Sequence, residues 1–333
     1  MALAVEVVDN LDGVGADELF ALDGTVGALG SRGRLVQHAG DPRWPARYVV
    51  ARDGDRLVAM VPIYLGHGVQ WSDSTNQPVD WGYPGIPAQE RSALVGGRLE
   101  VRGSLRTSDD PDVVRVVGEA CQAEVRGREV FFGYFDQRQQ RLAEAMFGPV
   151  EWLIEYTDHD YPPEVVHGPL ADLPADVRHT ITAGQRKIAQ LRIVASVLPW
   201  SAYTGDGGKL IAEHNKRKGI ADHAALVGYR LDQWDECDEV SVYIAHATMG
   251  DDEGVISLLA YRDELQIYEI GLPEGAGPNR RTLYASLIFD EPRRLAQELG
   301  LSTIRAGLGA DQAKKIRGAR PIMRRCGRLA SSN

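Results

Sequence analysis

Two apolar runs, 255–261 and 265–271, are separated only by the turn Arg262-Asp263-Glu264 and read as an antiparallel pair of strands. Behind them a loop of Gly, Pro and Arg, 273–281, runs directly into an apolar-periodic helix from Thr282 to about Gly300. A short strand at 302–307, Gly309 and the basic segment 313–321 follow. A strand that enters a helix through such a loop leaves the first N–H groups of the helix unpaired, at the positive end of its dipole. That is a seat for a phosphate. The rest of the chain reads as support for this cleft.

Upstream, 5–8 reads as a strand and 16–29 as a helix. Asp53-Gly54-Asp55 joins the β-rich runs 47–52 and 56–64, a strong hairpin signal. Residues 71–87, rich in aromatics, Gly and Pro, read as an ordered loop. A strand is expected at 99–105. Asp109-Asp110-Pro111 opens a helix with Val113, Val114, Val117 and Ala120 on one face. A strand at 129–135, a helix at 140–147 and a strand at 151–156 complete a stretch of βαβ character. Residues 158–174, with four prolines, read as a linker, and 173–192 as a basic helix. After a short helix at 210–218, a strand at 240–248 and a turn at 249–254 lead into the opening pair as a meander. Strand, acidic turn and strand at 47–64 and again at 240–260 point to an internal repeat of architecture, not of letters.

A length of 333 residues suits two domains. The net charge of -10 argues against DNA binding, yet 305–328 holds eight Lys/Arg and one acid. A basic tail on an acidic body implies a local anionic partner. The three cysteines, Cys121, Cys237 and Cys326, lie far apart and suggest neither disulfides nor a metal pair. No apolar run reaches the roughly 18–20 residues of a membrane span, and the first residues lack a signal peptide's basic start. A cytoplasmic location without membrane or metal is expected. Gly205-Asp206-Gly207-Gly208-Lys209 lacks phosphate-loop spacing, Gly13-Val14-Gly15 lacks the third glycine of a dinucleotide fingerprint, and no hydrolase motif is present.

The order of features in 255–321, with Tyr284 and Leu287 in the helix, Gly300 at its end, Gly307-Leu308-Gly309 and 313–318, resembles the Gcn5-related N-acetyltransferase (GNAT) fold. More narrowly it resembles the FemAB-like group of tandem acyltransferases, whose basic connector 173–192 also resembles. The resemblance implies an α/β (α+β) chain of two tandem GNAT-like domains, each a mixed, mostly antiparallel sheet flanked by helices. The expected boundaries are 1–157 for the N-terminal domain, 158–192 for linker and connector helix, and 193–333 for the domain that carries the site. It also implies transfer of an acyl group to an amine. The donor would be an aminoacyl-tRNA or an acyl-CoA, with no tightly bound cofactor. The acceptor would be a small molecule or peptide amine of a specialised or cell-wall pathway. In place of the glycine that CoA users carry in the loop, this chain has Leu283, which would obstruct a pyrophosphate. Leu283 and the basic tail favour the aminoacyl-tRNA donor. A catalytically silent tandem protein is the reading of another class.

Amide formation from an activated donor needs alignment, a neutral amine, an oxyanion contact and a proton for the leaving group. Strict alternation puts Leu265, Ile267 and Glu269 on one face of their strand and Gln266, Tyr268 and Ile270 on the other. Glu269 would accept the amine proton, unless an arginine such as Arg305 pairs with it. Tyr268 or Tyr284 would protonate the leaving group, with Tyr284 alternatively a core residue. Lys314 matches the lysine that the resemblance places near the transferred carbonyl, and is otherwise solvent-facing. Arg280, Arg281 and Lys315 would meet donor phosphates. Arg186 and Lys187, with Lys216, Arg217 and Lys218, would extend a path for a tRNA acceptor arm. Asp80, Trp81 and Tyr83 would line the acceptor pocket or form a packed loop.

Overall fold

The computed structural model describes residues 3–67, 89–98, 101–274 and 278–330. The chain divides into two units, Met1–Tyr156 with Met323–Asn333, and Thr157–Ile322. The segment expected as linker and connector, 158–192, therefore lies within the second unit, and the last residues return to the first.

The first unit contains β1 (Leu3–Val8), α1 (Ala16–Leu22), α2 (Arg32–Ala39), β2 (Ala46–Asp53), β3 (Arg56–Leu65), β4 (Ser92–Val95), α3 (Pro111–Glu124), β5 (Glu129–Phe135), α4 (Gln137–Phe147) and the first half of β6 (Val150–Tyr161). β1 to β4 pair antiparallel in succession and β5 lies parallel to β4. Asp53 pairs with Arg56 across a turn in which Gly54 takes the left-handed φ of 59° that glycine accepts freely. α3 starts as its sequence dictates. The Asp110 side chain accepts the Asp112 N–H, Pro111 occupies the first turn, and Val113, Val114, Val117 and Cys121 are buried. Two expectations fail here. A strand lies at 92–95, and of the strand expected over 99–105 the described part, 101–105, is irregular. The helix expected over 16–29 breaks at Asp23 into a 3₁₀ segment, where the Asp23 carboxylate caps Thr25.

The second unit continues from β6 through α5 (Pro163–Val166), α6 (Ala175–Gln190), β7 (Val194–Pro199), α7 (Gly207–Arg217), α8 (Ala224–Asp235), β8 (Val240–Met249), β9 (Asp252–Tyr261), β10 (Glu264–Gly271), α9 (Pro278–Ala285), α10 (Glu291–Leu299), β11 (Thr303–Arg305) and α11 (Asp311–Lys315). The expected meander is present, with β7, β8, β9 and β10 antiparallel in turn. β10 then pairs parallel with β11, which pairs antiparallel with the end of β6. On one face, Val177 and Ile181 of α6 and Leu283, Leu287, Phe289 and Leu295 pack on Ala245, Ile256, Leu258, Leu265 and Ile304. On the other face α7 crosses the end of β10 so closely that a Cβ on Gly271 would lie 2.5 Å from the Leu210 carbonyl carbon. The long helix expected from Thr282 to Gly300 is interrupted by a π-turn at Ser286–Asp290, where the Glu291 N–H reaches back to the Ser286 carbonyl. Pro292 explains it, since it has no N–H to offer the carbonyl of Ile288.

The final strand, β12 (Arg320–Leu329), corrects the reading of a basic tail open to an anion. It pairs with β5, Arg325 binds Glu155 at 3.0 Å and Arg328 binds Glu151 at 2.6 Å. Upstream, Arg320 pairs with Glu164 and Arg305 with Glu264. Much of that positive charge is therefore neutralised within the fold.

Candidate functional site

The site is organised by the way β10 leaves its parallel neighbour. Their pairing covers Glu264–Thr303, Leu265–Ile304 and Gln266–Arg305, and β11 ends there. The last five residues of β10, 267–271, run on past β11. On its other edge β10 carries a β-bulge. Ile267 pairs with Leu258 and Ile270 with Ile256, so three residue steps oppose two. Ser257 serves this bulge. Its hydroxyl accepts the Glu269 N–H at 3.0 Å and reaches back to the Glu269 carbonyl at 3.4 Å.

The extra residue breaks strict alternation. Ile267 and Ile270 both pack against the core that contains Leu265, while Tyr268 and Glu269 both meet α8. The Tyr268 ring stands edge-on to Trp234 at 5.7 Å, and Glu269 meets Arg230, one helical turn earlier. The expected division, with Glu269 on the Leu265 face, is thus corrected by one bulged residue.

Glu269 Oε1 accepts from Arg230 Nε at 3.0 Å and from Nη2 at 2.7 Å. Its Oε2 is buried and has no hydrogen-bond partner among the described residues. Arg230 also binds Asp222, at 2.7 and 3.2 Å, and Asn215 of α7 donates to Asp222 at 2.9 Å. Burial pushes the Glu269 carboxyl above its ordinary range in spite of the opposing pull of Arg230, and Asp222 adds to the rise. The arginine anticipated for Glu269 was Arg305, but Arg305 is held by Glu264.

Beyond the end of β10 the surroundings are cationic. Arg217 donates to the Leu272 carbonyl, and Arg280 Nε donates to the Pro273 carbonyl at 3.0 Å. His214, buried beside them, is pushed down to about 4 by burial and then by Lys218, Arg217 and Arg280. Desolvation and Arg280 lower Lys218 as well. Lys314 is pushed down to about 8, chiefly by burial, with Asp158 and Asp311 opposing and Lys218 adding to the fall. Among the described residues Arg217, Lys218 and Arg280 make no ion pair. Cations gathered without a counter-ion make a strong local attraction for an anion.

Other expected residues fall as follows. Lys314 is buried and not solvent-facing, and its Nζ donates to the carbonyls of Gly307 and Leu308 at 2.8 and 2.9 Å. Tyr284 packs partly buried against the core, and burial raises its pKa. Arg281, Lys315, Arg186 and Lys187 are exposed. Asp80, Trp81 and Tyr83 lie outside the described residues. Leu283 is fully buried in the core, so its side chain does not obstruct the loop. Arg230, Asp222 and Ser257 were not foreseen. The one available signal was the stripe Val227, Leu231 and Trp234, which marks α8 as amphipathic and puts Arg230 beside its buried face. Among the described residues no helix is long and apolar enough to cross a membrane.

No protein-family model matches the chain, and no curated protein matches it. Solved structures do. FemX superposes with a TM-score of 0.60 at 8% identity, over 98% of this chain and 97% of that one. A tandem GNAT protein from the clavulanic acid biosynthesis pathway gives 0.55 at 14%, over 99% and 100%. A protein of unknown function from Bacteroides thetaiotaomicron gives 0.52 at 12%, over 98% and 100%. Across almost its whole length, the chain thus has the tandem GNAT fold in the form FemX also takes.

Proposed function

We propose that this chain is an acyltransferase that moves an aminoacyl or acyl group from a polyanionic donor to the amine of a small molecule or peptide. The observation that carries the reading is the set of cations without counter-ions among the described residues, Arg217, Lys218 and Arg280 with Lys314 beside them, past the end of β10. A phosphate-bearing donor seated there would direct its acyl group along the stretch of β10 that runs on past β11. On the α8 face of that stretch, Glu269 Oε2 offers a buried basic oxygen. The amine nitrogen attacks the donor carbonyl, a C–N bond forms, and the C–O or C–S bond of the donor breaks. The amine proton passes to Glu269, and the leaving hydroxyl or thiol takes up a proton. Burial raises the basicity of Glu269 toward what the step requires.

The two donors are supported by different features. Exposed cations on α6, Arg178, Arg186 and Lys187, make no ion pair among the described residues and suit a donor longer than CoA. On them we retain aminoacyl-tRNA as the favoured donor. The burial of Leu283 removes one objection to acyl-CoA, which stands as the alternative.

Binding separates the two. Fluorescence anisotropy with charged tRNA and calorimetry with acetyl-CoA should show micromolar or tighter binding of one donor. The double variant Lys218→Ala with Arg280→Ala should weaken it by about tenfold or more. Retention of full affinity by the folded double variant, or no binding of either donor, would remove this assignment.

A further inference from the structure

The cluster behind Glu269 is larger than a catalytic carboxylate needs. Two carboxylates, Glu269 and Asp222, share the single guanidinium of Arg230, so the cluster carries one uncompensated negative charge when both are ionised. Its members come from four places in the chain. Asn215 lies on α7, Asp222 on the turn after it, Arg230 on α8 and Glu269 on the bulge of β10. The Asp222 carboxylate is fixed three times over, by Asn215 Nδ2 and by the His223 N–H, both at 2.9 Å, and by Arg230. Arg230 is therefore anchored from the side away from the strand. Its Nε and Nη2 both close on one oxygen of Glu269. A two-hydrogen-bond contact to Oε1 alone, with Oε2 buried and unpartnered, fixes which oxygen remains for a ligand.

We propose that Arg230 and Asp222 are positioning residues for acyl transfer: Asp222 anchors the guanidinium, which pins Oε1 of Glu269 and leaves Oε2 as the one oxygen that takes the proton of the acceptor amine. The inference rests on the reading of Glu269 given above. Asp222 has a second role. By dividing the guanidinium it keeps Arg230 from neutralising Glu269 completely, as a dedicated ion pair would. The charged and hydrogen-bonding groups that bear on Glu269 are Arg230 and Asp222, with Tyr268 beside it on β10 and Ser257 on β9. The surplus negative charge also defines the acceptor: an amine that arrives as an ammonium is attracted, and one flanked by a carboxylate is repelled.

The test reads Glu269 itself. With glutamate labelled at the side-chain carboxyl carbon, and Glu269→Gln to assign the signal, NMR follows its titration in the full chain. Asp222→Asn leaves the guanidinium to Glu269 alone, so the midpoint should fall by about one pH unit. Arg230→Met should raise it by a similar amount, and Arg230→Lys should restore part of the difference but not the single-oxygen contact. Thermal melts establish that each variant is folded, and the arginine variants carry the test if Asp222→Asn does not fold. Midpoints equal to wild type in the folded variants would overturn the proposal and leave the cluster a structural ion network. A separate outcome concerns the underlying reading. If Glu269→Gln keeps full transfer activity while the midpoints move as stated, the cluster positions Glu269 but Glu269 is not the base, and the catalytic part falls.

Discussion

At the scale of single residues, what matters most is which charged groups are left without partners. Arg305, Arg320, Arg325 and Arg328 of the basic end each find a carboxylate, whereas among the described residues Arg217 and Arg280 past β10, and Arg178 and Arg186 on α6, make no ion pair. Asp290, at the end of the π-turn, is a carboxylate in poor surroundings. It accepts a hydrogen bond from Gln185 at 3.4 Å, and burial pushes its pKa from 3.8 up to about 6. The sign follows directly. Between those values the folded chain holds a proton that the unfolded chain has lost, so stability falls as pH rises through 6. Asp290→Asn removes the charge. Relative to wild type it should gain about 1–2 kcal/mol between pH 4 and pH 7, read from urea unfolding at both pH values. A gap that stays constant with pH would contradict the assignment. Glu269 lies under the same rule, and there the raised carboxyl is the one proposed above to accept the amine proton.

At the scale of elements, the site is made by irregularities in otherwise regular structure. β10 is bulged, its pairing with β11 stops early, and α7 rides over its end. The close approach at Gly271 makes a sharp prediction. A Cβ there would meet the Leu210 carbonyl carbon at 2.5 Å and the Ile211 nitrogen at 2.6 Å, both backbone atoms that cannot rotate away. Gly271→Ala should cost about 1–3 kcal/mol and shift α7, the helix that carries Asn215 and Arg217. Denaturant unfolding measures the cost, and a neutral result would mean that α7 lies farther from β10. The meander, the α3 start and the helix stop at Gly300 were all legible in the sequence, because each depends on neighbours a few residues apart. The bulge was not. A single inserted residue leaves the apolar pattern of 265–271 almost unchanged, yet it carries Glu269 to the opposite face.

At the scale of the whole molecule, the two units are interleaved in sequence. The chain leaves the first unit in the middle of β6 and returns to it in β12. Cys326 of β12 is fully buried and accepts the Tyr134 N–H at 3.2 Å, and Arg325 and Arg328 bind Glu155 and Glu151. β12 therefore contributes core material to the first unit. A chain truncated after Ile322 should lose that strand. Circular dichroism should then show a lower first melting transition, whereas an unchanged melt would mean that the strand is dispensable. A basic composition at the chain end had suggested a free anion-binding tail, and composition cannot distinguish a solvated arginine from one paired across a sheet.

The sequence alone determined the meander and its passage into a helix. These follow from periodicity and turn chemistry, which act over a few residues. Tertiary structure decided which charges remain. It buried Leu283 in the core, paired Arg320, Arg325 and Arg328 of β12, brought Arg230 and Asp222 to Glu269, and left Arg217, Lys218 and Arg280 without counter-ions among the described residues. The reason is range. A side chain's partner, and with it the basicity and use of that side chain, is set by residues tens of positions away in sequence that only the packed sheet brings within hydrogen-bond distance.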